Sequence, residues 1–486
     1  MQGIDQKTYL DVFEQKLYSL RKLKQDLQRG LPAPKPEQFL RGLDLIIDAV
    51  ETFLSRRVDN LRARFAGKPQ ELAEQIAFHA KVALRILGSL HQQYLPLLHA
   101  ESQRNEYLFK PSIEQAVGLF TNSRFELTLL PDFLYNYAFD GRENFANSEV
   151  ELLEKNSDPD TKAALAALRS KAALTQWIVF LHFPVADRDS ALNLCVLAHE
   201  LGHFVDEISK IYKSLLPIEL DKSSFDEFVE ARCNTPAYGG TTSKPGGPRL
   251  TFEKIFTRDG VQARCYLSCN EMLERWIREI IADILAIHAI GPASYFAFND
   301  FMAYMGAENV TSSSHPVPAF RLKLMLDELK ETMGYLGSAS AVDKVLGEAM
   351  LRVTVGAASV KSRYKDEAKV VQITIEKTLT SLLAKIRPVV SAYSFNAARY
   401  QGTVPGILER LKRGIAPIEV LDGVRTKVVP ASVVGILNAG WELYKTDIAG
   451  FYGQFRDDVP EMERFASLNH LLFKAIEASE VKRRWK

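Results

Sequence analysis

The sequence predicts an α+β fold, mostly α-helical, with one small sheet. Three observations carry this reading. Long runs place apolar residues at three- and four-residue steps, two short runs rich in β-branched and aromatic residues each close on a proline, and "VLAHELGHFVDE" sets an H-E-x-x-H spacing inside a helical pattern.

The 486 residues are 47% hydrophobic and 25% charged, enough for two or three packed cores and too apolar for a disordered chain. Lys and Arg number 61 against 60 Asp and Glu, so a net charge of +1 provides no field to gather nucleic acid or an anionic membrane, and neither is expected as a partner. The opening "MQGIDQKTYLDVFEQ" lacks the basic end and apolar core of a signal peptide. The most apolar windows, "WIVFLHFPVA" and "IIADILAIHAIG", fall short of the ~18 apolar residues that a membrane span needs. Cys195, Cys233, Cys265 and Cys269 form no dense pairing pattern, so a cytoplasmic setting is expected. Cys265 and Cys269 share a helix face, but with no second close pair they read as small buried side chains and not as a four-cysteine zinc site.

Taken in order, "YLDVFEQKLYSLRKLKQDL" reads as a helix broken by "LPAPKPEQ". "FLRGLDLIIDAVETFLSRRV" and "ELAEQIAFHAKVALRILGSLHQQYLPLL" follow as long amphipathic helices that pack as a bundle. His79, His91 and His99, in or beside the second of these, read as ordinary partly buried or surface histidines. "RFELTLLP" and "TQWIVFLHFP" read as strands, and His182 fills a position on the second. Between them "PDTKAALAALRSKAAL" is a helix begun by an Asp-Pro-Asp cap region. Ser190 or Asp189 is placed to cap the motif helix. "NTPAYGGTTSKPGGPRL" reads as an exposed loop, either a gate or an insertion with no role. "CYLSCNEMLERWIREIIADILAIHAIGP" returns to helix and ends at Gly291 and Pro292. "TSSSHPVPAFRLKLMLDELKETM" is a polar turn feeding a helix, and the remaining residues are mostly helical with an irregular stretch at "APIEVLDGVRTKVVPAS".

Residues four apart share one helix face, so His199 and His203 can direct imidazole nitrogens at one metal ion with Glu200 beside it. Zinc in such a place acidifies a bound water, and Glu200 can take the proton: this is peptide or amide hydrolysis. A third ligand is required. Glu279 is the favoured one, because Asp283 lies four residues on in an otherwise apolar run, and two acids facing a core need cations or donors. Zinc for Glu279 and a histidine N–H for Asp283 would satisfy both, Asp283 fixing the tautomer of a ligand histidine. Glu271 and Glu274 have Arg275 and Arg278 four residues on, which reads as surface pairing. Asp206 is the competing third ligand, its other reading being a carboxylate near the solvent end of the helix. A donor should face the metal from another segment, and His315 in "SSSHP" is best placed, ahead of Tyr295 and Tyr304, with Arg321 six residues later. His288 and His470 have no partner in the sequence that sets them apart.

"HELGH", "EIIAD" and "SSHPVPAFRL" follow the order found in gluzincin zinc metallopeptidases and most resemble the HtpX and CAAX-prenyl-protease group, over roughly residues 175 to 325. The resemblance implies a zincin-like core of a small sheet, the H-E-x-x-H helix and an E-x-x-A-D helix. It implies His199, His203 and Glu279 as zinc ligands, Glu200 as general base, Asp283 as support for a ligand histidine, and His315 with Arg321 as aids to the intermediate. It also implies that "WIVFLHFP" or "RFELTLLP" offers an edge to an extended peptide. The sequence departs from that group in having no visible membrane spans, so a membrane or prenylated substrate does not carry over. The expected organisation is therefore an N-terminal helical region over 1–115, a metallopeptidase core over 116–335 and a C-terminal helical region over 336–486. The expected activity is a zinc-dependent endopeptidase acting on a peptide or protein, with the helical flanks open to a regulatory protein. The competing readings are a non-cleaving helical interaction protein on the same scaffold and a zinc-dependent small-amide hydrolase.

Overall fold

The two long amphipathic runs near the start of the chain fold as α1 (Glu37–Arg64) and α2 (Pro69–Ala100), followed by β1 (Phe125–Asp132), β2 (Ala138–Glu143), α3 (Phe145–Lys155), α4 (Pro159–Ala172) and β3 (Trp177–Pro184). The computed structural model describes residues 37–100, 125–132, 137–143, 145–172, 177–187, 189–234, 258–304, 310–334, 361–362, 365–391, 394–421, 428–451 and 459–484, together with 344–346 and isolated positions before 37. Most of the expected first helix, most of the glycine- and proline-rich stretch after Asn234, and the side chains of His91 and His99 lie outside those residues.

The chain divides into two compact units, residues 1–118 with 122–188 and residues 119–121 with 189–486, in place of the three regions expected. The physical reason is packing. In the first unit α1 lies against α2, α3 and α4, and Phe180 of β3 joins Leu43, Ile46, Phe53, Ile76 and Leu165 in one core, so the sheet belongs with the N-terminal helices. The sheet order is β1-β3-β2, with β1 parallel and β2 antiparallel to β3. Central β3 buries Val179, Phe180, Leu181 and Phe183, which explains a run of apolar residues without alternation. β3 is paired on both sides and so has no free edge, while among the described residues β1 is paired with β3 alone. Asp158 caps α4 as its position suggests, accepting from the Thr161 N–H at 3.0 Å, and it also receives Arg57 Nη1 and Asn60 Nδ2 at 3.0 Å.

The second unit is built around α8 (Arg258–Ile290), a helix of 33 residues and therefore about 50 Å long. Against it pack α5 (Leu197–Ser209), α6 (Ile211–Leu215), α7 (Lys222–Asn234), α9 (Pro292–Tyr304), α10 (Pro318–Met333) and α11 (Lys365–Ser391). Gly291 takes φ +75° and ends α8, and Pro292 opens α9. Two-residue β4 (Val310–Thr311) pairs with β5 (Lys361–Ser362) just before the "SSSHP" turn. After α12 (Ala397–Lys412), the stretch expected to be irregular forms an antiparallel pair, β6 (Glu419–Leu421) with β7 (Val428–Pro430), followed by α13 (Val433–Asp447) and α14 (Glu461–Arg484).

These C-terminal helices support the start of the motif helix. The Leu192 N–H donates to Asn469 Oδ1 of α14 at 3.1 Å, and its carbonyl accepts from Trp441 Nε1 of α13 at 3.2 Å. Neither Ser190 nor Asp189 caps the motif helix: α5 follows directly on the 3-10 turn Asn193–Val196, its N-cap is Val196 with no side-chain cap, and Ser190 Oγ instead accepts from the Asn193 N–H at 3.2 Å. Among the described residues no helix is long and apolar enough to cross a membrane.

His79 is buried in the first unit and accepts from Arg57 Nε at 3.0 Å. Burial, and then the Arg57 charge, lower its pKa from 6.5 to about 4 against the opposing pull of Asp158. A folded-state pKa below the unfolded one means that neutral His79 contributes stability in full above about pH 6.5 and loses it as the pH falls towards 4. Thermal melts across that window should show wild type losing more stability than His79→Gln; equal losses would contradict the assignment.

Candidate metal centre

Helix α5 buries Leu197, Ala198, Leu201, Phe204 and Val205, and this amphipathic pattern orients the motif. One turn apart, the His199 and His203 rings meet edge to face with centroids 4.7 Å apart, and their Nε2 atoms are separated by 3.1 Å. Opposite them on α8, Glu279 and Asp283 share a face as their spacing requires. Glu279 Oε2 lies 3.3 Å from His199 Nε2, and Oε1 lies 3.3 Å from His203 Nε2.

The three side chains fit a zinc ion. A tetrahedral zinc with ligand bonds of about 2.0–2.1 Å spaces its ligand atoms about 3.3 Å apart, close to the separations here. Ligand atoms of His199, His203 and Glu279 fall within 4.8 Å of one another. Glu279 Oε2 is buried and faces positive or ring-nitrogen groups, Arg321 Nη1 at 3.0 Å and His199 Nε2 at 3.3 Å.

Two charged groups lie behind this triad. Asp283, fully buried, places Oδ1 2.9 Å from His199 Nδ1, the position of a carboxylate that fixes a ligand histidine. Arg321 on α10, 2% exposed, donates to both Asp283 oxygens at 2.8 Å through Nε and Nη2. Its Nη1 lies 3.0 Å from Glu279 Oε2, and its guanidinium sits 4.5 Å from the Phe298 ring centroid. Burial opposes the charge on Glu279 and Asp283, but Arg321 and the neighbouring histidines outweigh it and hold both carboxyls below their ordinary values, Glu279 well below. Burial likewise opposes the Arg321 charge, and Asp283, Glu279 and Glu200 raise its pKa in spite of it. Burial would lower the His199 pKa, yet hydrogen bonding to Asp283 and Glu279 carries it from 6.5 to about 10.

Glu200 is half-buried in the first turn of α5. The His315 side chain is 55% exposed, with its Nε2 3.6 Å from Glu279 Oε1. His203 is 23% exposed, so the accessible side of the triad is the one bounded by His203 and His315.

The structure thus gathers His199, His203, Glu279, Asp283, His315 and Arg321, with Arg321 on the buried side of the cluster, against Asp283 and Glu279. Asp206 is buried and holds the next turn, accepting from the Tyr212 N–H at 2.7 Å, where Lys210 takes φ 54°. It belongs neither to the triad nor to the solvent end of the helix. Glu274 and Glu271 pair with Arg278 and Arg275 at 3.2 and 3.6 Å, as their spacing suggested. Tyr304 is exposed and Tyr295 is buried beside Phe296. His288 has a partner that its sequence neighbours do not reveal: Nε2 meets Glu328 Oε1 of α10 at 2.9 Å, and Glu328 also receives Arg387 Nη2 of α11 at 2.8 Å. His470 is exposed.

Sequence reasoning passed over Gly202, the fourth residue of "HELGH". A Cβ there would stand 2.6 Å from Ala282 Cα and 2.7 Å from its carbonyl oxygen, so α5 approaches α8 as closely as it does only without a side chain. The available signal was a glycine inside a helix, which needs a packing reason to offset roughly 1 kcal/mol of lost helix propensity. Comparison with protein-family models, with curated proteins and with solved structures returns no match for this chain.

Because the atoms in the way are backbone, Gly202→Ala should separate the two helices and cost roughly 1–3 kcal/mol, and a metal ion at the triad should bind more than about tenfold more weakly than in wild type. Gly406→Ala, in α12 with nothing within 4 Å of its added Cβ, should be neutral or stabilising. Thermal melts and zinc titration check both, and a Gly202→Ala protein that binds zinc like wild type would refute the packing argument.

Proposed function

We propose that this chain is a zinc-dependent metalloendopeptidase of the gluzincin kind. The single observation behind this reading is the meeting of His199, His203 and Glu279 within 4.8 Å of one another, next to Glu200 on the same helix. Zinc held by those three side chains would supply an acidified water and a Lewis acid for a carbonyl oxygen.

The chain's own groups divide the remaining work. Glu200 takes the proton of the attacking water and passes it to the leaving amine. His315 offers Nε2 from the exposed side, where a carbonyl oxygen gains negative charge. Asp283 holds the His199 ring through Nδ1, and Arg321 keeps Asp283 and Glu279 ionised. Arg321 is therefore a positioning residue and does not touch the substrate.

The half-open edge between His203 and His315 favours a polypeptide over a small amide, which would need enclosure. A complete set of ligands, base and donor favours cleavage over a scaffold that only binds. Four free cysteines suit a reducing compartment such as the cytoplasm. The helices of α11 to α14 offer surface for a regulatory protein.

Elemental analysis and cleavage of an unfolded-protein mixture test the reading together. Wild type should hold about one zinc per chain, Glu279→Ala should lose it, and Glu200→Gln should keep it while losing on the order of a thousandfold in activity. A zinc-free wild type, or a fully active Glu200→Gln, would overturn the proposal.

A further inference from the structure

The turn between β4 and α10 carries His315 with a defined hydrogen-bond direction. Ser312 Oγ accepts from two backbone N–H groups, those of Ser314 at 3.2 Å and His315 at 2.9 Å. A hydroxyl oxygen has two acceptor sites, so with both taken Ser312 Oγ can meet a further neighbour only as a donor. Its neighbours are Ser314 Oγ at 3.0 Å and His315 Nδ1 at 3.3 Å. Ser314 Oγ in turn lies 2.8 Å from His315 Nδ1. Ser312 Oγ can donate to the ring or to Ser314 Oγ; in the first case, or where Ser314 turns its own proton to the ring, Nδ1 receives a hydroxyl proton and acts as an acceptor.

We infer that Ser312 and Ser314 are positioning residues that fix His315 as the Nε2–H tautomer, so that neutral His315 presents a hydrogen-bond donor to the metal centre. In the other tautomer Nε2 would carry a lone pair and repel a developing oxyanion. Glu279 Oε1, 3.6 Å from Nε2, favours the same polarity. The turn is also tied to the ligand helix. The fully buried Trp276, one turn before Glu279 on α8, donates from Nε1 to the Ser312 carbonyl at 3.3 Å, and the Ser312 N–H donates to the His315 carbonyl at 3.3 Å. The donor is thereby held in the frame of the helix that supplies Glu279. The ligand class is a carbonyl or oxyanion acceptor, and this role rests on the endopeptidase reading.

The test is nitrogen-15 NMR of the full chain with ring-labelled histidines, zinc added, and His315→Gln used to assign the signal. Wild type should show Nε2 protonated and Nδ1 bare. Ser312→Ala/Ser314→Ala should show a mixture of tautomers, while Ser314→Thr, which retains a hydroxyl, should keep the wild-type signal. With zinc content unchanged, kcat on peptide should fall about 10–100-fold in the double variant with KM little altered. A wild-type Nδ1–H tautomer, an imidazolium at neutral pH, or a double variant with unchanged tautomer would overturn the inference. The tautomer is read without turnover, so its failure and the failure of the endopeptidase reading are separate results.

Discussion

Two carboxylates one turn apart on α8, Glu279 and Asp283, are buried where neither would remain charged alone, and the Arg321 guanidinium that reaches both keeps them so. The arrangement has a charge consequence. Two carboxylates and one guanidinium leave the interior with one excess negative charge, and buried charge requires compensation. Without a metal the compensation comes from His199, whose pKa those neighbours raise to about 10. A divalent cation that displaces this proton answers the same demand, so the site selects for positive charge before any particular ligand bond is considered. A single buried arginine thus keeps both carboxylates ionised, while His199 would have to release its proton to a metal ion.

That balance works only at short range, and the close approach of two helices provides it. Gly202 lets α5 contact the α8 backbone at Ala282, which brings His199 and His203 onto Glu279. The start of α5 is fixed by the C-terminal helices through Leu192, and the donor turn by Trp276, so elements far apart in sequence converge on α8. The C-terminal helices have a structural part in the site although they supply none of its ligands. A second polar contact between α8 and α10, His288 with Glu328, lies further along the same pair of helices and draws in α11 through Arg387. Both layers fix how α10 sits on α8, which is the relationship that places Arg321.

Much of the site was legible in the sequence because helix periodicity is local. Spacing by four put both histidines on one face and Glu279 with Asp283 on another, and the apolar run around "EIIAD" already called for buried cations. Asp158 and Gly291 announced the start of one helix and the end of another by the same local logic. What depended on long-range packing was not legible. Asp206 has the sequence position of a ligand, but the turn at Lys210 directs it to the Tyr212 N–H. Arg321 could be assigned to the site but not to its buried side, because that depends on how α10 crosses α8. Phe180 of β3 packs among the N-terminal helices, a grouping that the order of elements along the sequence does not reveal. Partners such as His288 and Glu328, 40 residues apart, leave no periodic trace.

The central claim is that a cation sits among two imidazoles and one carboxylate, with a position left for water. X-ray absorption at the zinc edge on the full chain loaded with one equivalent of zinc tests this directly. The account predicts a shell of light atoms only, two imidazole nitrogens with carboxylate and solvent oxygen, at about 2.0–2.2 Å. Sulfur scattering near about 2.3 Å would place the metal on the cysteines instead and contradict the account.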